Sequence, residues 1–78
     1  MQYIATFFTH SGAVKYRRWL EKYNIGVKIM PVPRQLSSNC GLAAQFELEA
    51  DIRNYISADI EKLYQITPEG YKLIYQAD

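Results

Sequence analysis

The sequence predicts an α+β domain of ferredoxin-like type, βαββαβ, with two helices on one face of a four-stranded antiparallel sheet. Three observations predict it. Short runs rich in β-branched and aromatic residues alternate with two runs whose apolar residues recur at helical spacing. Their order along the chain is strand, helix, strand, strand, helix, strand. The chain has 78 residues, 49% of them hydrophobic and 22% charged. That is enough for one core and leaves no room for a second, so residues 1–78 read as a single domain.

Each element has a local reason. Gln2-Tyr3-Ile4-Ala5-Thr6-Phe7-Phe8 is a β-branched and aromatic run short enough for a strand. It breaks at Thr9-His10-Ser11-Gly12, where Thr9 or Ser11 offers a side-chain oxygen to the free amides of a helix start. Over residues 13–24, Ala13, Tyr16, Leu20 and Tyr23 form one stripe with Trp19 beside it. Lys15, Arg17, Arg18, Glu21 and Lys22 take the wet side. Asn24 and Gly26 tolerate the left-handed conformation that stops a helix. A second strand, Val27-Lys28-Ile29-Met30, runs into Pro31-Val32-Pro33, where missing amide donors should end the pairing.

A polar loop follows, Arg34-Gln35-Leu36-Ser37-Ser38-Asn39-Cys40-Gly41. Leu42, Ala44, Phe46 and Leu48 then alternate on one face of a third strand. Asp51 is placed to cap a second helix, whose stripe is Ile52, Ile56, Ile60 and Leu63, spaced four, four and three apart. Thr67-Pro68-Glu69-Gly70 is a turn by composition, and residues 71–76 make the last strand.

Composition excludes several function classes. Nine Lys/Arg against eight Asp/Glu give +1, too little for a face that grips nucleic acid through phosphates. The 14% aromatic content would suit base stacking on an open sheet, but the third strand lacks the basic, glycine and aromatic pattern of RNA-recognition modules. The rings read instead as core or dimer-interface material. No apolar run reaches the ~18–20 residues that cross a bilayer, and the N-terminus lacks the pattern of a signal peptide. A cytoplasmic protein without membrane contact is expected. One cysteine, Cys40, makes no internal disulfide. With one histidine, His10, it supplies two ligands where a closed zinc site needs four, so neither a metal nor another cofactor is expected.

On the expected fold, one rim of the sheet collects residues 9–12, residues 31–41 and the turn at 66–70. His10 and Cys40, thirty residues apart, fall together there. A thiol becomes nucleophilic when amides, helix N-termini or cations stabilise its anion. Arg34 shares the loop with Cys40, and the first helix points its positive end at the rim. The same dipole disfavours a protonated His10, which suits a neutral base. Ser37 and Ser38 are turn formers, or with Arg34 an anion pocket. Gly41, lacking a side chain, leaves room for an approach to the sulfur. The blander reading makes Cys40 a small buried hydrophobe and His10 a turn-capping imidazole.

The segment from Pro31-Val32-Pro33-Arg34 through Ser37-Ser38-Asn39-Cys40-Gly41-Leu42-Ala43, with Thr9-His10 upstream, resembles the small bacterial selenium/sulfur carrier protein-like family. The resemblance covers nearly the whole chain. It implies a cytosolic protein whose Cys40 accepts sulfur or selenium as a persulfide or selenosulfide. Arg34, Ser37, Ser38 and Gly41 would surround that cysteine, and Thr9 and His10 would face it. Arg17 and Arg18 stand where relatives often carry an acidic residue, Gln45 where a basic one is frequent, and Gly12 is an extra residue at the helix start. The expected function is therefore a carrier or accessory of sulfur transfer between donor and acceptor proteins, not an independent enzyme. The alternative is a non-catalytic module of the same fold that binds a small ligand or a protein, with homodimer formation open in either case.

Overall fold

The computed structural model describes residues 1–38 and 40–77; Asn39 of the polar loop lies outside them. Five strands form one antiparallel sheet, in the order β2-β3-β1-β4-β5. The strands are β1 (Gln2–Phe7), β2 (Val27–Pro31), β3 (Leu42–Glu47), β4 (Ile60–Thr67) and β5 (Gly70–Gln76). One α-helix, α1 (His10–Glu21), joins β1 to β2, and a single 3-10 turn at Ile52–Tyr55 lies between β3 and β4.

This overturns the expected βαββαβ order, with its four strands and two helices. The first half, from β1 through α1, β2 and β3, follows the expected course. The second helix does not exist among the described residues: its first turn is the 3-10 turn, and its second half is β4. The helical spacing of Ile60 and Leu63 comes from a β-bulge. Phe7 lies opposite Ile60 and Thr6 opposite Lys62, so Glu61 is an extra residue in β4. The bulge reverses the in–out alternation once. Ile60 and Leu63 therefore face the same side although they stand three positions apart, as they would on a helix. Asp51 still acts as a cap, but of the short turn, accepting from the Arg53 amide at 3.0 Å.

The missing helix also moves the last turn. Gln2 pairs with Ile66 and Phe7 with Ile60, so β4 descends from the rim where β1 ends. The turn at 67–70 sits at the opposite end of the sheet, not on the rim with His10. The segment that reaches the rim instead is residues 57–59: the Phe8 amide donates to the Asp59 carbonyl at 3.4 Å.

Core packing follows the alternation of the strands. Tyr3, Ala5, Phe7, Ala44, Phe46, Ile60 and Leu63 form the face that receives α1 through Ala13, Tyr16 and Leu20. Burying these rings and aliphatic chains at ~25 cal/mol per Å² of apolar surface is the main stabilising term. Tyr3 stacks on Phe46 with centroids 5.7 Å apart, and Tyr16 meets Phe7 at 5.5 Å. Tyr23, expected on the buried stripe, lies past the end of α1 and is 53% exposed, edge-on to Trp19 and Tyr55. Asn24 ends the helix with φ of 61°, the left-handed residue its side chain tolerates.

The opposite face carries Ile4, Thr6 and Ala43, all fully buried although they stand outside the helix-side core. Neither α1 nor the 3-10 turn reaches them, since Tyr16, Ile52 and Tyr55 pack on the other side. The β2–β3 loop lies on this face, beside Tyr64, which pairs with Ile4. Its Gln35 and Leu36 reach Tyr64 and the β4–β5 turn.

Candidate functional site: the rim around Cys40

At the rim the helix start is built first. Thr9 has extended backbone, and its Oγ1 accepts from the Gly12 amide at 2.9 Å, satisfying one of the free donors of α1. Thr9 and Ser11 hydroxyls lie 3.3 Å apart. Space at Gly12 is tight: a Cβ there would stand 3.1 Å from Thr9 Oγ1 and 3.2 Å from the Asp59 Cβ. Residues 57–59 are thus seated directly against the first turn of the helix. Asp59 was not read as a rim residue from the sequence; only the correct direction of β4 would have placed it there.

The loop then folds over the rim and is tied to both neighbouring elements. The Ser38 hydroxyl donates to the Phe7 carbonyl at 2.9 Å, at the end of β1. Nε2 of His10 lies 2.5 Å from the Cys40 carbonyl oxygen. A carbonyl only accepts, so Nε2 carries the proton, in either the neutral tautomer or the imidazolium. The bond therefore persists whether or not the ring is charged. His10 and Cys40 do meet, but through the backbone oxygen of Cys40. The imidazole positions the residue; its observed contact is not with the sulfur.

Cys40 itself is half-buried and packs against the core beneath the helix start. Its Sγ accepts from the Leu42 amide at 3.4 Å, and its thiol proton has the Leu42 carbonyl at 3.6 Å. The Ser38 Oγ stands 3.7 Å from the sulfur and 3.3 Å from the Cys40 amide. Gly41 makes this arrangement through its backbone: φ is +76°, and nothing lies within 4 Å of the position a Cβ would take. The glycine serves the left-handed turn that folds the Leu42 amide back onto the sulfur.

The site residues thus divide. His10, Ser38, Cys40 and Gly41 form one connected cluster with Leu42 and the Phe7 carbonyl, while Thr9 caps the helix start next to His10. Arg34 and Ser37 are exposed on the outer loop, and neither forms a hydrogen bond or ion pair among the described residues. Among the described residues, the groups that contact the sulfur are hydrogen-bond donors and acceptors, not a cation. With the thiol protonated, the Leu42 carbonyl takes its proton. With the thiol ionised, the Leu42 amide remains and the Ser38 hydroxyl has only to rotate away from Phe7 to donate to the anion. Among the described residues no group of three or more His, Cys, Asp or Glu side chains gathers for a metal. No helix among them is long and apolar enough to cross a membrane.

Residues 2–70 of the chain match the family described as "Putative Se/S carrier protein-like". Comparison with curated proteins and with solved structures finds no match.

Proposed function

The chain belongs to this Se/S carrier protein-like family, and from that membership and the surroundings of Cys40 we propose that the protein carries a sulfur or selenium atom on Cys40 between a donor and an acceptor protein. The observation that carries the reading is the switchable shell of the sulfur: a fixed amide donor from Leu42, and a Ser38 hydroxyl that can exchange the Phe7 carbonyl for the anion.

The chemistry is a two-electron displacement. The Cys40 thiol first loses its proton to solvent. The thiolate attacks the outer sulfur of a donor persulfide, R–S–SH; the donor's S–S bond breaks, and R–S⁻ leaves with the electron pair. Cys40–S–SH results, with no net oxidant or reductant. An acceptor thiolate then attacks the outer sulfur and releases Cys40 as thiolate. A selenium atom moves by the same displacement from a selenosulfide. Half-burial of the sulfur limits its contact with water while the rim stays open to a partner's chain.

The test is incubation with a cysteine desulfurase and cysteine, followed by intact mass measurement. Wild type should gain the mass of one sulfur atom, removable by a thiol reductant. Cys40→Ser should gain none, and Ser38→Ala should load more slowly. An unmodified wild type, or an equal gain on Cys40→Ser, would falsify the reading.

A further inference from the structure

Away from the rim, the β2–β3 loop and the β4–β5 hairpin enclose a pocket of about 380 Å³, lined by Gln35, Leu36, Tyr64, Glu69, Gly70 and Tyr71. We propose that this pocket binds an organic ammonium ion, one whose nitrogen carries alkyl groups, in the corner between Tyr64 and Tyr71.

The geometry comes from the sheet register. Tyr64 lies in β4 on the face away from α1, and Tyr71 is opposite Ile66 on that same face. The two rings stand 6.4 Å apart at 74°, so they make a corner and not a parallel stack. Aromatic faces carry negative quadrupole density, and a cation near such faces is attracted even where water is close. Glu69, on the turn beside them, adds a full negative charge. Leu36 supplies the apolar contact that N-alkyl groups need and an inorganic cation does not.

Other ligand classes fit less well. An anion would meet the Glu69 carboxylate. A divalent metal would find one carboxylate where it needs several oxygen ligands. No lysine or arginine stacks on either ring among the described residues, so the chain does not fill the corner with its own cation. Gly70, at φ +125°, holds a backbone only glycine adopts easily, which sets Glu69 and Tyr71 on either side of the turn.

The test uses the full chain and two probes, choline and its neutral isostere with carbon in place of nitrogen, each followed by NMR. Choline should shift the signals of Leu36, Tyr64 and residues 69–71 and bind about five-fold or more tightly than the isostere, since each exposed ring contributes about two- to five-fold. Glu69→Gln should weaken choline about two- to five-fold and leave the isostere unchanged. Tyr71→Leu should reduce the preference about two- to five-fold. Equal binding of the two probes would mean an apolar pocket only and overturn the proposal, as would shifts confined to other residues. Glu69 is exposed, so its variant keeps the test decisive should Tyr71→Leu fail to fold. None of these outcomes depends on the sulfur chemistry of Cys40.

Discussion

Both faces of the sheet bury part of their side chains, but by different means. On the helix side, Phe7, Tyr16 and Leu20 are at most 1% exposed, and the rings of Tyr3, Phe7, Tyr16 and Phe46 interlock. On the other side, Ile4, Thr6 and Ala43 reach the same burial beside an irregular loop. That loop is held by a few hydrogen bonds: Ser38 to Phe7, His10 to Cys40, and the Val32 amide to the Gly41 carbonyl at 3.1 Å. The difference separates stability from action. Large interdigitated side chains lose much when one is removed, because rigid neighbours cannot fill the gap. A loop pinned at a few points can lift or settle without unfolding the sheet, and Cys40, the residue proposed to carry the atom, sits on that loop.

The sharpest way to break this comparison is to truncate one side chain on each face. Phe7→Ala should cost about 3–5 kcal/mol, since α1 and the sheet cannot collapse into the space of a ring. Ile4→Ala should cost about 2 kcal/mol, the low end for such a change, because the loop can sink toward the gap. Denaturant titration measures both. A loss at Ile4 equal to that at Phe7 would show that the loop packs as rigidly as the helix.

A smaller effect sharpens the helix side. Tyr16 is buried, yet its hydroxyl donates to the Tyr55 carbonyl at 2.6 Å, tying α1 to the 3-10 turn. Tyr16→Phe should cost about 1 kcal/mol by leaving that carbonyl unpaired. Burial also pushes the Tyr16 phenol well above its ordinary 10.0. The folded phenol stays neutral where the unfolded one ionises, so its contribution is fully present below pH 10 and lost as pH rises beyond it. Wild type should therefore lose stability above pH 10 more steeply than Tyr16→Phe. Parallel pH curves would show that the phenol does not distinguish the folded from the unfolded state.

Much of the helix face was legible in the sequence, and the loop face was not. Ala13, Tyr16 and Leu20 announce their packing by spacing alone, as do Ala44, Phe46 and Leu48. The stripe Ile52, Ile56, Ile60 and Leu63 misled for a physical reason: its first half is one 3-10 turn and its cap, and in its second half one bulge residue, Glu61, lets a strand imitate helical spacing. Nothing in composition marks such a residue, because the bulge is settled by pairing with β1. The rim was partly legible. The meeting of His10 and Cys40 depended only on the first half of the fold, which follows the expected course. Asp59 entered, and the turn at 67–70 left, because both depend on β4. Arg34 was close in sequence but turns outward, since loop direction is set by bonds such as Ser38 to Phe7.

The smallest expected effect bears on the role of His10. Its side chain is exposed, so water can replace the imidazole at the Cys40 carbonyl, and His10→Ala should change global stability by about 0.5 kcal/mol or less. Its local effect should be larger and has a telling sign. If His10 only positions the loop, its loss loosens the turn that folds Leu42 back on the sulfur. The thiol should then react faster with an alkylating reagent, the Leu42 amide should exchange its hydrogen faster, and the rate against pH should keep the wild-type shape. If the imidazole instead acted on the sulfur as a base, alkylation should slow and that shape should change. A slower, reshaped profile would move His10 from the frame of the site into its chemistry. The contact at the Cys40 carbonyl predicts the faster, unreshaped one.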